Sequence, residues 1–302
     1  METLSLLLGG LASSLTLGML LAVFFGVIIG LFVGVLPGLG PAAGVAILLP
    51  VVIGFDGTQA IAALAGVYYG AMFGGAVTSI LLGIPGDAPS VMTVVDGHPM
   101  AKKGQAGAAL GMNIVGSFFG GLVGILLLTM LSYQVARAAL SFGPAEMTAL
   151  MALALSLVTV LGGSNAWKGF ASLSLGLWIG MIGLDDIMGM PRFTFGSSHL
   201  LDGIEFSVIA VGLFGLGQML AALGTPSNKD LAQTKFSLRS LMPNVWDVIK
   251  CRWDLLRGSI IGFVVGILPG VGATAATMLA YASAKRFSKT PERFGKGAIE
   301  GV

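Results

Sequence analysis

Two short motifs hold the residues best suited to chemistry. Pro37-Gly38-Leu39-Gly40 and Pro269-Gly270-Val271-Gly272 each interrupt a long apolar run. Proline withholds a backbone donor and glycine permits positive φ, so Pro-Gly-x-Gly stops one helix and allows a sharp restart. Pro41 suits the first position of the restarted helix, where its missing N–H is no loss. The first amides of such a helix carry about half a positive charge, which suits a carboxylate without burying an arginine. An arginine at membrane depth costs ~2.5–3.5 kcal/mol even on the lenient insertion scale. The substrate-binding candidates are therefore Pro37, Gly38, Leu39, Gly40, Pro269, Gly270, Val271 and Gly272, with hydroxyls from Thr274 and Thr277. The freed carbonyls of Val35, Leu36 and Ile267 are candidate ligands for a sodium ion. The bland alternative is a pair of kinks packed by their neighbours.

Asp87 and Asp96 flank a Pro- and Gly-rich segment that follows Gly83-Ile84-Pro85-Gly86. Both are candidates for coupling to a cation or proton, and a solvated loop acid is the competing reading for each. Thr78, Ser79, Asn113 and Ser117 lie within apolar runs; they either line a path or bond back to the preceding turn. Asp185 and Asp186 read as solvated. His98 and His199 have no metal-ligand companions at useful spacing and read as loop residues. Cys251, the single cysteine, sits between Lys250 and Arg252 and reads as a solvated thiol that forms no internal disulfide. Gly26-Gly30-Gly34 and Gly116-Gly120-Gly124 are small-residue ladders of the kind that lets helices pack closely.

The elements that must position these groups follow from composition. Only 10% of the 302 residues are charged and 55% are hydrophobic, against about 25% charged in a soluble domain. That excludes a disordered chain, a nucleic-acid module and an ordinary soluble enzyme. The fold class is all-α: a polytopic transmembrane helical protein with inverted repeats and re-entrant or broken helices at the Pro-Gly-x-Gly motifs. Met1-Glu2 offers no basic leader, so the first apolar segment is expected to remain in place. Residues 3–55 carry no charge, which is too long for one pass of ~20 residues. Further uncharged runs cover 57–86, 104–136, 147–167, 169–184, 206–228 and 258–284.

An internal repeat divides the chain. Residues 30–40 recur at 262–272 with a constant offset of 232 and no gap over eleven positions. The expected organisation is a first transmembrane repeat over 1–223, a cytoplasmic linker over 224–257, and an incomplete second inverted repeat over 258–302. The chain thus looks truncated at its C-terminus, and no transport is expected of it alone. Lysine and arginine set the orientation: with single crossings between the repeats, 14 of the 16 basic residues fall inside, leaving Arg137 and Arg192 outside. Five crossings separate the two breaks, so the hairpins enter from opposite faces. Inverted repeats with matching interruptions point to a secondary transporter with a midplane site. A channel lined by the same broken helices is a competing reading. An intramembrane hydrolase using paired aspartates is disfavoured, because every Asp sits at the edge of a run.

The sequence resembles the TctA family, the large membrane subunit of bacterial tripartite tricarboxylate transporters. The likeness rests on residues 34–40, on Gly83-Ile84-Pro85-Gly86, and on Asp96-Gly97-His98-Pro99-Met100-Ala101-Lys102-Lys103-Gly104-Gln105-Ala106-Gly107. Phe142-Gly143-Pro144-Ala145-Glu146, Gly189-Met190-Pro191-Arg192-Phe193-Thr194-Phe195-Gly196 and Gly295-Lys296-Gly297-Ala298-Ile299-Glu300-Gly301-Val302 extend it over essentially the whole chain. The resemblance implies a multi-pass permease of the bacterial inner membrane. Its partners would be a small TctB-like membrane subunit and a periplasmic TctC-like solute-binding protein. It would import citrate-like or other carboxylates with sodium or protons, without ATP, enzymatic activity or an organic cofactor. Asp87 stands where the family pattern has a small or hydroxyl residue, a departure that bears on substrate and coupling ion.

Overall fold

The computed structural model describes residues 9–302 apart from 11–12, 37–39, 142, 147, 150, 153–154, 156–165, 186–187, 206–207, 210, 218–219, 221–243 and 268–271. Helix α1 (Leu17–Val35) ends before the first motif and α2 (Pro41–Val52) begins after it, with Gly40 extended at φ −65° and ψ 172°. Helix α3 (Gly57–Leu82) starts where the Asp56 carboxylate accepts the Thr58 N–H and stops at Gly83, whose φ of +68° favours glycine. Then come α4 (Val91–Lys102), α5 (Ala106–Ser141) and α6 (Ala166–Gly180). A two-residue pairing of Gly183–Leu184 with Pro191–Arg192 follows, pinned by an Arg192–Asp185 ion pair at 2.5 Å. Helices α7 (Val245–Lys250), α8 (Arg252–Gly266) and α9 (Gly272–Phe287) complete the second motif's surroundings. Leu17–Val35, Gly57–Leu82 and Ala106–Leu131 are each long and apolar enough to cross a bilayer. The protein is an all-α, multi-pass membrane protein.

Small residues decide how the helices meet. Gly26, Gly30 and Gly34 of α1 face Ala63, Val67 and Ala71 of α3, while Gly66, Gly70 and Gly74 of α3 face Val23, Val27 and Leu31. A methyl group on Gly30 or Gly34 would overlap the opposite backbone carbonyl. With no hydrophobic driving force between helices in lipid, this close approach is what holds them. The constant register makes α1 and α3 parallel. Helix α2 must therefore run back between them, and it does so with Leu48 and Val52 packed on Ala63, Val67 and Ala22.

Helix α5 begins beside the end of α3, where Ile80 packs on Ala109 and Leu110. It shares a cavity with Tyr69 and Phe73 through Ser117, Gly121 and Ile125, so it runs antiparallel to α3. Helix α8 is parallel to α5, with Gly116 next to Leu255 and Gly120 next to Ser259. Helix α9 folds back on α8 through Val265, Ala275, Ala276 and Leu279. Hence α1 and α8 run in opposite directions, and the two hairpins are inverted with respect to each other.

Several local expectations are corrected. The Asp96–Pro99 segment is helical, not a loop, so His98 is a helix residue whose Nδ1 lies 3.2 Å from the Ile80 carbonyl. Gly97 makes this possible, because a Cβ there would stand 2.8 Å from Ile80 Cγ1. Helix α8 starts at Arg252 instead of 258, since Arg257 is neutralised on Asp254 at 2.6 Å and lies over the Phe287 ring. Cys251 is not solvated; it is 1% exposed at the junction of α7 and α8. Burial, then the negative Glu300, Asp254 and Asp247, push its thiol up to about 12. Of the second ladder, Gly116 and Gly120 meet only side-chain atoms and Gly124 meets nothing within 4 Å, so these glycines border a cavity and do not bring backbones together. Asp185 is ion-paired with Arg192.

Candidate functional site

The start of α2, the start of α9 and Asp87 converge on one cavity of about 470 Å³. Gly40, Pro41, Ala42 and Ala43 enter from the first break and Ala273 from the second. The amides of Ala42 and Ala43 belong to the first turn of α2, where no intrahelical acceptor exists. No side chain caps α2. Among the described residues lining this cavity there is no lysine or arginine. Its polar character therefore comes from helix starts, Tyr68, Asp87 and Glu205.

Tight backbone packing places Asp87. The loop after α3 turns at Gly83 and folds back on the helix, so that Gly86 sits against Gly75. A Cβ on Gly86 would overlap the Gly75 Cα and lie 2.9 Å from the Gly34 carbonyl oxygen. Glycine is required there by approach, not by dihedral. Asp87, 8% exposed, then accepts the Ser90 N–H on Oδ1 at 3.0 Å, while the Ser90 hydroxyl donates to the Asp87 carbonyl at 2.9 Å. Among the described residues its Oδ2 is buried without a hydrogen-bond partner. Burial pushes this carboxyl above its ordinary range, and the bonds to Ser90 pull the other way. Asp87 also borders a second cavity of about 800 Å³ that contains Thr93, Asn113, Ser117 and Thr277.

Asp96 is in a different situation. It is fully buried, its Oδ1 accepts the N–H groups of Gly295, Gly297 and Ala298 at 2.8–2.9 Å, and its Oδ2 accepts the Tyr281 hydroxyl at 2.8 Å. The carboxylate ties α4 to α9 and to the segment after it. Tyr281 is not singled out by the sequence, and Gly295, Gly297 and Ala298 enter there only as part of the family motif, with no role assigned. The Gly-x-Gly run at 295–297 is the only local hint of such a nest, with φ of +81° and +96°.

The remaining candidates divide as follows. Pro37, Gly38, Leu39, Pro269, Gly270 and Val271 lie outside the described residues. Gly272 opens α9 at φ +59°, and the Thr274 carbonyl accepts the Thr277 hydroxyl at 2.8 Å. Val35, Leu36 and Ile267 do not line the shared cavity; the Leu36 and Ile267 amides bond back to Val33 and Phe263. Thr78 and Ser79 both donate to the Gly75 carbonyl, at 2.9 and 2.8 Å, as local back-bonding predicts. Asn113 and Ser117 line the larger cavity.

The sequence profile of the tripartite tricarboxylate transporter TctA family matches residues 20–302. This chain belongs to the TctA family. It is 39% identical over 264 residues to an uncharacterized 52.8 kDa protein of the TAR-I ttuC' 3' region of Agrobacterium vitis, covering 86% of this chain and 51% of that protein. An uncharacterized protein of the TAR-II ttuC' 3' region of the same organism is 49% identical over 41 residues, 14% of this chain and 17% of that protein. The chain thus spans about half the length of the first relative. No solved structure matches. TctA proteins are transporter components, which agrees with helix-bounded cavities in a multi-pass fold.

Proposed function

We propose that the chain is part of the permease of a binding-protein-dependent secondary transporter that imports citrate-like or other carboxylates across the bacterial inner membrane. It works with a small membrane subunit and a periplasmic solute-binding protein, and a sodium or proton gradient drives it. One observation carries this reading: the first turns of α2 and α9, from oppositely directed hairpins, border the same cavity, and none of its described lining residues is a lysine or arginine. Unpaired amides offer an anion a site that needs no buried cation. Inverted hairpins that meet at one cavity also allow that cavity to be reached from either face as they rock.

The test is uptake of labelled citrate and other di- and tricarboxylates by the whole permease, reconstituted with both partners. Saturable accumulation that stops when the cation gradient is collapsed is expected. Uptake that never saturates, or none for any carboxylate under either gradient, refutes the reading.

A further inference from the structure

Of the two buried acids, one is finished and the other is not. Both oxygens of the Asp96 carboxylate are engaged by α9 and the segment after it, in bonds that hold the fold. Asp87 differs at one atom. Its Oδ2 is buried, has no partner among the described residues, and belongs to a side chain bordering both cavities. A buried, ionised carboxylate with an unmade bond is costly, and a proton relieves that cost with one new O–H bond. A sodium ion would need a cage of oxygens; the smaller cavity offers side-chain oxygens only from Tyr68, Asp87 and Glu205 among its described residues, while those of Thr93, Asn113, Ser117 and Thr277 line the larger one.

The position explains how coupling would arise. Ala42 and Ala43, whose amides suit the substrate, share the cavity with Asp87. Two anions in so small a space repel, so neutralising Asp87 favours the settling of a carboxylate there. Among the described residues, the titratable groups facing Asp87 on these cavities are Tyr68 and Tyr69 of α3, and Glu205; the described residues of α2, α4, α5 and α9 that face it are neutral.

We infer that Asp87 is the coupling-proton carrier of this permease, taking a proton on Oδ2 before the carboxylate substrate binds. The step balances simply. A hydronium in the cavity gives its proton to Oδ2, forming an O–H bond and leaving water. After the cavity changes face, that bond breaks and the proton returns to water on the other side. This inference rests on the transport reading above.

The experiment uses the whole permease with citrate as probe. In detergent at alkaline pH, where citrate is fully ionised, a pH-indicator dye should record uptake of about one proton per citrate bound by the wild type. In proteoliposomes, an inward proton gradient should drive citrate accumulation. Asp87→Asn should take up no proton on binding, lose accumulation by about tenfold or more, and exchange citrate independently of pH. Asp87→Glu, which keeps a titratable oxygen, should restore proton-driven accumulation with a displaced pH midpoint. Wild-type binding without proton uptake, accumulation that follows sodium alone, or an Asp87→Asn protein that still accumulates citrate with the proton gradient overturns the inference and leaves the transport reading standing. No citrate binding by the wild type at all overturns both.

Discussion

Cutting the link between Asp96 and Tyr281 should open the environment of Cys251, and the size of the effect follows from the bonds removed. Cys251 borders the same cavity as Ile299, Glu300, Gly301 and Val302. That segment continues directly from the three amides held by Asp96 Oδ1. Tyr281→Phe deletes one hydrogen bond to a carboxylate, ~1.5–3 kcal/mol. Asp96→Ala deletes four and leaves three backbone donors unpaired, that of Ala298 buried, so it costs at least ~3 kcal/mol. Since each 1.4 kcal/mol is about tenfold, local opening should become about 10- to 150-fold more populated in the first variant. The second should exceed about 100-fold.

The readout is maleimide labelling of this single cysteine. Closed, the thiol stands at about 12, so only ~0.001% is thiolate at neutral pH. Opened, it returns toward ~8.5 and ~3% is thiolate. Burial disfavours the anion, so reaction runs through the open state and its rate reports the opening equilibrium. Because ionisation of the open thiol draws the equilibrium toward the open state, the rate should keep climbing with pH through ~8.5 while the open state is the minor one. Labelling of both variants at the wild-type rate, or faster labelling of Tyr281→Phe than of Asp96→Ala, would refute the argument.

Other outcomes can be stated more briefly. Gly30→Ala forces a methyl onto the Val67 carbonyl and should cost ~1–3 kcal/mol, whereas Gly124→Ala meets open space and should leave the midpoint of thermal aggregation in detergent unchanged or slightly raised. Gly86→Ala should destabilise similarly, by moving the Asp87 loop off Gly75; normal expression and unaltered melting would contradict this. Ala42→Asp places a carboxylate at the start of α2, which the helix welcomes but an anionic substrate does not. Citrate binding should weaken by about tenfold or more with no loss of thermal stability.

Legibility in the sequence followed chemical locality. The breaks at Gly40 and Gly272 were visible because proline and glycine act on their own backbone. The α1 ladder was visible because small residues at helical spacing have one common use, and α3 supplies its match. Opposed hairpin directions followed from counting crossings. What failed was anything set by a distant partner. Cys251 looked solvated beside Lys250 and Arg252, yet the cavity it borders is shared with residues 299–302. The second ladder, read from the same spacing as the first, borders a cavity: Gly116 and Gly120 meet only Leu255 and Ser259 side-chain atoms, and Gly258 and Gly262 of α8 line the same cavity with nothing within 4 Å.

The two aspartates show the same limit at the candidate site itself. Asp87 and Asp96 are of one residue type in one short stretch, and sequence offered them identical roles. Their difference lies in donors. Asp96 meets four, at Tyr281, Gly295, Gly297 and Ala298, and so becomes a structural tie. For Asp87 the donating partner is local, in Ser90, because Gly86 holds its loop against Gly75, and Oδ2 is left buried without a hydrogen-bond partner among the described residues. A carboxylate left half-bonded gains an O–H bond from a proton. The distribution of donors therefore separates the acid that holds the protein together from the acid free to change its charge. It also requires that substitutions at Asp96 act on Cys251 exposure and those at Asp87 act on proton coupling, with little exchange between the two readouts.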